Sequence, residues 1–289
     1  ETTAHGGARP SHAEWQGRQF HRGGAVDYMG KHYPDFEAAT GYGTGAGLCG
    51  WNCRHTFFSI FPELGPAPAW TQADLVALNA RDIEYNGGKY TRYEISQMQR
   101  ARERTVRKYK RRYLAEDAAG ADTTASAVKL RQARQELSDF ISATGGRADS
   151  ARTSVAGFGR SEAGKASYTA RKQERFDSAN VELQQMREAG TIKAKGKLIE
   201  SPPAPNEINF ASEHVLQRWA ERGMGPMDAE RIIRSSKVAM SQRNGTQTCY
   251  YSEYGFVAIG QNGNVSSIGP LDEGGQKLME VVKKHGIPH

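Results

Sequence analysis

The sequence predicts an α+β protein. A loop-rich N-terminal region carries a long basic helical segment. A small C-terminal domain follows, with two helices, an antiparallel four-stranded sheet and a final helix. Three observations point there. Apolar residues recur at helical spacing over about 91–116 and 125–144. Four short apolar runs follow near 237–242, 246–251, 256–260 and 265–269, separated by the turn-forming "NG", "SEYG" and "QNGN". Helices that precede a run of strands, and do not alternate with them, are the α+β pattern.

The elements can be justified in chain order. Residues 1–66 are rich in Gly, His and aromatics, and the Gly alternation at 41–47 excludes a stable strand or helix there. Thr71 is placed to cap a helix with Leu75 and Leu78 on one face, and Asn86-Gly87 reads as a hairpin turn. The first long helix presents Ile95, Met98, Val106, Tyr109 and Tyr113, with a gap near Ala101 and Arg102. The second presents Leu130, Ala133, Leu137, Phe140 and Ile141, and Gly145-Gly146 stops it. Residues 146–176 show no periodicity, and a short helix is expected at 177–189. The prolines of "IKAKGKLIESPPAPNE" (192–207) mark a linker. A short strand at Ile208–Phe210 and a helix over 212–222 open the last domain, with Ser212 as cap, Gly223 as stop and Val215, Leu216 and Trp219 inward. A second helix near 226–236 buries Ile232 and Ile233, and a last one, 274–285, carries Leu278, Val281 and Val282. The expected organisation is therefore 1–175, a helix and Pro-rich linker over 176–205, and a domain over 206–289.

The net charge is +7 over 289 residues, and its distribution is uneven. Residues 206–289 hold nine basic and nine acidic side chains, so the whole excess lies before them. From 91 to 113 nine Lys and Arg face two Glu. Arg100, Arg104, Arg107, Lys108 and Arg111 are therefore candidate contacts to a polyanion such as DNA, although most charge runs are solvated faces. Three cysteines make no disulfide framework and fit a reducing compartment. No apolar run approaches the ~18 residues of a membrane span, and no signal peptide is visible, so no membrane is expected.

"CGWNCRH" (49–55) gives Cys49, Cys53 and His55 at C-x3-C-x-H. With His12 of "RPSHAEWQG" they are candidate zinc ligands, since thiolate and imidazole suit that ion. The spacing is not a common zinc-finger one. The plainer reading is two small buried cysteines in a Gly-framed turn, no cofactor, and His55 satisfied by backbone. "GRSEAGKA" (159–166) nearly spells a phosphate-binding loop, but Ala166 stands where the Mg²⁺-binding hydroxyl belongs and no apolar strand precedes it.

Three stretches, "HGGARPSHAEWQGRQF" (5–20), "YPDFEAATGYGTGAGLCGWNCRHTFFSIFPE" (33–63) and "YTRYEISQMQRARERTVRKYKRR" (90–112), resemble the phage minor capsid protein 2 family. They are more distantly similar to Mu F-type head proteins. The resemblance covers about 1–175 and implies a virion component near the portal, with portal and other capsid proteins as partners and phage DNA nearby. It carries over no active site.

In "SEHVLQRWAERG" (212–223), His214, Arg218 and Arg222 fall four apart and stack on one helix face. A His can move a proton at a ribose hydroxyl, and guanidinium groups can clamp phosphate and its transition state. The segment 211–271 resembles barnase, EndoU, colicin and RelE-type nuclease domains of phage heads and toxins. That resemblance implies a metal-independent ribonuclease, with RNA as substrate, an immunity protein as partner and action in the host cytoplasm during assembly or after delivery. Arg243, Tyr250, Ser252 and Ser267 are sheet candidates for the same site. Whether the chain is an enzyme stays open at this level. The alternative is a purely structural virion protein whose last domain is a non-catalytic binding module.

Overall fold

The computed structural model describes the chain except residues 66, 206, 211 and 212, and of residues 213–215 and 218 it describes the helical backbone alone. By packing, the chain divides into two compact units, Glu1–Arg112 with Leu130–Phe158, and Tyr113–Lys129 with Gly159–His289. The mixed α and β content agrees with the expected α+β class.

The first unit opens with short elements: α1 (Pro10–Ala13), the hairpin β1 (Val26–Tyr28) and β2 (Lys31–Tyr33), and α2 (Phe36–Thr40). Their core is aromatic: Trp15, Phe36 and Leu48 are buried, with Phe20, Tyr42 and Cys53 against them. Thr71 caps α3 (Gln72–Leu78) through a reciprocal pair of bonds with Asp74. The Asn86-Gly87 turn joins β3 (Ile83–Tyr85) to β4 (Gly88–Tyr90), both turn residues having positive φ.

Two long helices, α4 (Arg92–Ala118) and α5 (Thr124–Thr144), run where the periodicity predicts. The gap in the α4 stripe is filled by polar side chains. Gln99 and Glu103 are buried, and the Gln99 amide donates to the Glu103 carboxylate at 2.9 Å and to the Arg147 carbonyl at 2.9 Å. Arg102 lies 4.1 Å over the buried Phe140 ring of α5. A short α6 (Ser150–Thr153) follows, capped by Asp149.

The second unit departs from expectation at its start. A single 29-residue helix, α7 (Arg160–Glu188), replaces the predicted loop and short helix. Its buried stripe is Ala166, Ala170, Phe176, Ala179 and Leu183. Alanines contribute little to a hydrophobic periodicity, so the pattern is faint although the face is fully buried. "GRSEAGKA" is the N-cap and about the first two turns of this helix, and the Glu162 carboxylate accepts from the Gly159 N–H at 2.9 Å.

The linker also contains structure. Its "KLIE" is β5 (Lys197–Glu200), so the sheet has five strands instead of four. β6 (Val238–Gln242), β7 (Gln247–Ser252), β8 (Gly255–Gly260) and β9 (Val265–Gly269) follow in sequence order, all antiparallel, with a bulge at Ala258/Ile259. Both faces of this sheet are covered. On one, Leu198, Val238, Met240, Cys249, Tyr251 and Ala258 meet α7 and α10 (Glu273–Lys284). On the other, Ala239, Tyr250, Val257 and Ile268 meet α8 (Glu213–Glu221) and α9 (Pro226–Ser235). Each fully buried Leu or Ile stabilises by about 1.5–3 kcal/mol, so the sheet anchors the unit from both sides. The expected strand at Ile208–Phe210 reduces to one bridge, Asn209 to Asn264, on the β9 edge.

In α8, Trp219 is buried as expected and stacks edge-on against Phe210 at 5.0 Å. Leu216 instead faces solvent, 45% exposed. The cap expected at Ser212 and the side chains of His214, Val215 and Arg218 lie outside the described residues.

Candidate functional site

Among the described residues, the group of side chains able to hold a metal ion is in the first unit. Two segments build it, the turn carrying His12 and the Gly-rich loop that ends in Cys53 and His55. The loop closes on itself: Gly41 has a left-handed backbone, and a Cβ on Gly47 would collide with the Gly41 carbonyl. This folding delivers the Ala46 carbonyl to His12 Nε2 at 2.9 Å. His55 Nε2 meets Gln16 Oε1 at 3.1 Å, and Gln16 Oε1 also accepts from the His5 backbone N–H at 3.2 Å. His12, Gln16 and His55 are buried.

Carbonyl oxygens only accept hydrogen bonds, so each Nε2 carries a hydrogen and donates it. The lone pairs of both rings then lie on Nδ1, and both face one sulfur. Cys53 Sγ is 3.5 Å from His55 Nδ1 and 3.7 Å from His12 Nδ1. The three ligand atoms lie within 4.8 Å of one another. Burial, reinforced by His5, His12, Arg54 and Arg9, pushes His55 down to about 4, and burial likewise lowers His12. Both rings are neutral at pH 7.

Cys49 takes no part in the cluster. It is exposed, with a left-handed backbone, and its thiol approaches the His55 carbonyl at 3.6 Å. Of the four candidate ligands, the fold therefore brings together His12, Cys53 and His55. It also adds neighbours that spacing did not single out. The His5 ring stacks on His55 at 4.2 Å, and His5 Nε2 is buried without a partner among the described residues. A cavity of about 210 Å³ opens beside the cluster, lined among others by Arg9, Arg54 and Arg100.

The basic face of α4 is distinct. Arg100, Arg104, Lys108 and Arg111 are exposed, at spacings of four, four and three. Arg107 is half-buried, and its guanidinium donates to the Arg152 carbonyl.

Of the residues expected to form a ribonuclease site, the side chains of His214 and Arg218 lie outside the described residues, and the others stand at separate positions of the last domain. Arg222 donates to the Ile268 carbonyl of β9. Arg243 stands in the exposed turn before β7 with positive φ. Tyr250 is buried, its hydroxyl 3.3 Å from the Pro203 carbonyl, and burial raises its pKa. Ser252 is buried and accepts from the Tyr254 N–H at 3.3 Å. Ser267 pairs with Ala258, whose side chain belongs to the α7/α10 face, opposite the face of Tyr250. Tyr250 and Ser267 are thus not brought together.

Residues 1–142 match the family model described as phage minor capsid protein 2. The match spans just under half of the chain, and over that region the chain is similar to minor capsid proteins. Among curated proteins and solved structures, none matches the chain. The His12–Cys53–His55 cluster and the α4 basic face both lie inside the matched region, whereas α8 and the five-stranded sheet lie outside it. No helix among the described residues is long and apolar enough to cross a membrane.

What the sequence left unseen at the cluster was the second layer. Gln16 and Ala46 orient the two rings, but a Gln and a backbone carbonyl carry no motif of their own. The one legible signal was that Gln16 follows His12 by four residues, on the same side of a helical turn.

Proposed function

We propose that the chain is a phage minor capsid protein, placed in the virion beside other capsid proteins, and that it meets the packaged DNA through the exposed face of α4. The observation that supports the reading is the row Arg100, Arg104, Lys108 and Arg111. It runs about 16 Å along the helix at 1.5 Å per residue. Between Arg100 and Arg112 the one acidic side chain, Glu103, is buried, so the row is uniformly positive. Such a row recognises phosphate spacing and carries no base-specific information.

Anisotropy of the full chain with a labelled duplex tests it. Four phosphate contacts give a salt slope near −3.6, a loss of roughly 10²-fold in affinity between 50 and 200 mM salt. R100E/R104E/K108E should abolish the binding. Absence of binding to the unsubstituted chain at about 50 mM salt would overturn the reading.

For the second unit we infer a binding module without activity of its own. What supports this is the use already made of the candidate groups: Arg222 holds a strand carbonyl, Tyr250 is buried against Pro203, and Ser267 belongs to the opposite face. A metal-independent ribonuclease needs these groups free around one phosphate. The full chain incubated with RNA and EDTA, beside His214→Ala, separates the two readings. Intact RNA in both supports the module. Cleavage that disappears in His214→Ala would reinstate the ribonuclease, with its RNA substrate and an immunity partner.

A further inference from the structure

We propose that His12 Nδ1, Cys53 Sγ and His55 Nδ1 bind a zinc ion, with the fourth position open to the cavity beside Arg9, Arg54 and Arg100. Two neutral rings each point an Nδ1 lone pair at Cys53 Sγ, because both Nε2–H groups are committed to Ala46 and Gln16. A thiol has one hydrogen and can satisfy one of them. The other lone pair then faces sulfur with nothing between, in a buried setting where an unmade bond is costly.

Tetrahedral zinc with Zn–S near 2.3 Å and Zn–N near 2.0 Å has S···N edges of about 3.5 Å. The observed separations are 3.5 Å and 3.7 Å. An ordinary hydrogen bond from thiol to imidazole needs one such approach, not two. Metal-bound histidines characteristically donate their other N–H to a carbonyl or carboxylate, which fixes tautomer and ring plane. Both rings here do so. One soft thiolate with two imidazoles suits zinc over hard, oxygen-seeking cations. Binding exchanges the Cys53 S–H hydrogen for the metal and releases one proton per ion.

The test uses the full chain. Elemental analysis of protein refolded with zinc and then desalted should give about one zinc per chain. Cys53→Ser should lose it and Cys49→Ser should keep it. Because Cys53→Ser can also impair folding, alkylation of the unsubstituted protein by N-ethylmaleimide is read in parallel by mass spectrometry. Zinc should slow modification of Cys53 at least tenfold and leave Cys49 unchanged. Equal alkylation of Cys53 with and without zinc, or zinc retained in Cys53→Ser, would overturn the proposal.

Discussion

Asn180 and Leu198 exchange two hydrogen bonds: the Asn180 carbonyl accepts from the Leu198 N–H at 2.7 Å, and its amide donates to the Leu198 carbonyl at 2.9 Å. Asn180 stands on α7 and Leu198 on β5, the outermost strand of the sheet. A free strand edge is a template for pairing with another chain. Here a helix side chain occupies that edge as a strand would. Asn180→Ala leaves both Leu198 groups without their partner, at about 1–3 kcal/mol per unsatisfied group. Urea unfolding should therefore show a loss of about 2 kcal/mol. A change below ~0.5 kcal/mol would mean that solvent or another group replaces the amide at no cost.

A second tie to α7 is ionic. Glu182 accepts from Lys284 Nζ at 2.8 Å and from His285 Nε2 at 2.8 Å, and these bonds hold its carboxyl below the usual carboxylate range. A carboxyl lowered on folding stabilises above its unfolded pKa, and the contribution is lost as pH falls through the folded value. Glu182→Gln should cost less than ~1 kcal/mol at pH 7, since the group is near solvent. The difference between the two proteins should shrink as pH falls below the ordinary glutamate value of about 4.3 and vanish once the pH lies below the lowered folded value. A difference that persists there would assign the effect to packing.

These two ties involve the elements that the residue pattern conceals. The strands from Val238 to Gly269 were legible because "NG", "SEYG" and "QNGN" punctuate them. β5 offers only Leu198 and Ile199 between charged ends, and prolines follow at once, so it reads as linker. α7 buries alanines, which leave almost no hydrophobic signal. At the candidate metal site, Cys49 and Cys53 are equivalent as letters. They part because Cys49 takes a left-handed backbone while Cys53 packs against the Trp15 core. The pairing of each imidazole with an acceptor arises from loop closure, which no local spacing encodes.

Cys49 and Cys249 should differ sharply in reactivity. Cys49 is exposed, whereas Cys249 is buried in the α7/α10 face of the sheet, where desolvation pushes its thiol up to about 11. The thiolate is the reactive form, so at pH 8 access and ionisation both protect Cys249. Titration with a disulfide reagent should modify Cys49 promptly and spare Cys249 until denaturant is added. Mass mapping that finds Cys249 modified as fast as Cys49 in the native protein would show that this face of the sheet opens readily.

Gln16 gives the sharpest test of how the two imidazoles are held. Its Oε1 accepts from His55 Nε2, and its amide donates to Asn79 Oδ1 at 3.3 Å, so the side chain is fixed at both ends. Gln16→Met keeps the volume and removes the acceptor. The His55 ring then loses the bond that sets its tautomer, and zinc affinity should fall 10–100-fold, the usual effect of deleting such a partner. Gln16→Glu restores an acceptor, here a carboxylate, and should retain the affinity of the unsubstituted protein or exceed it. Competition with a chromophoric zinc chelator measures all three proteins. Equal affinities for the Met and Glu variants would mean that the Gln16 contact does not orient His55, and that the ring is held by its stacking with His5 and Trp15.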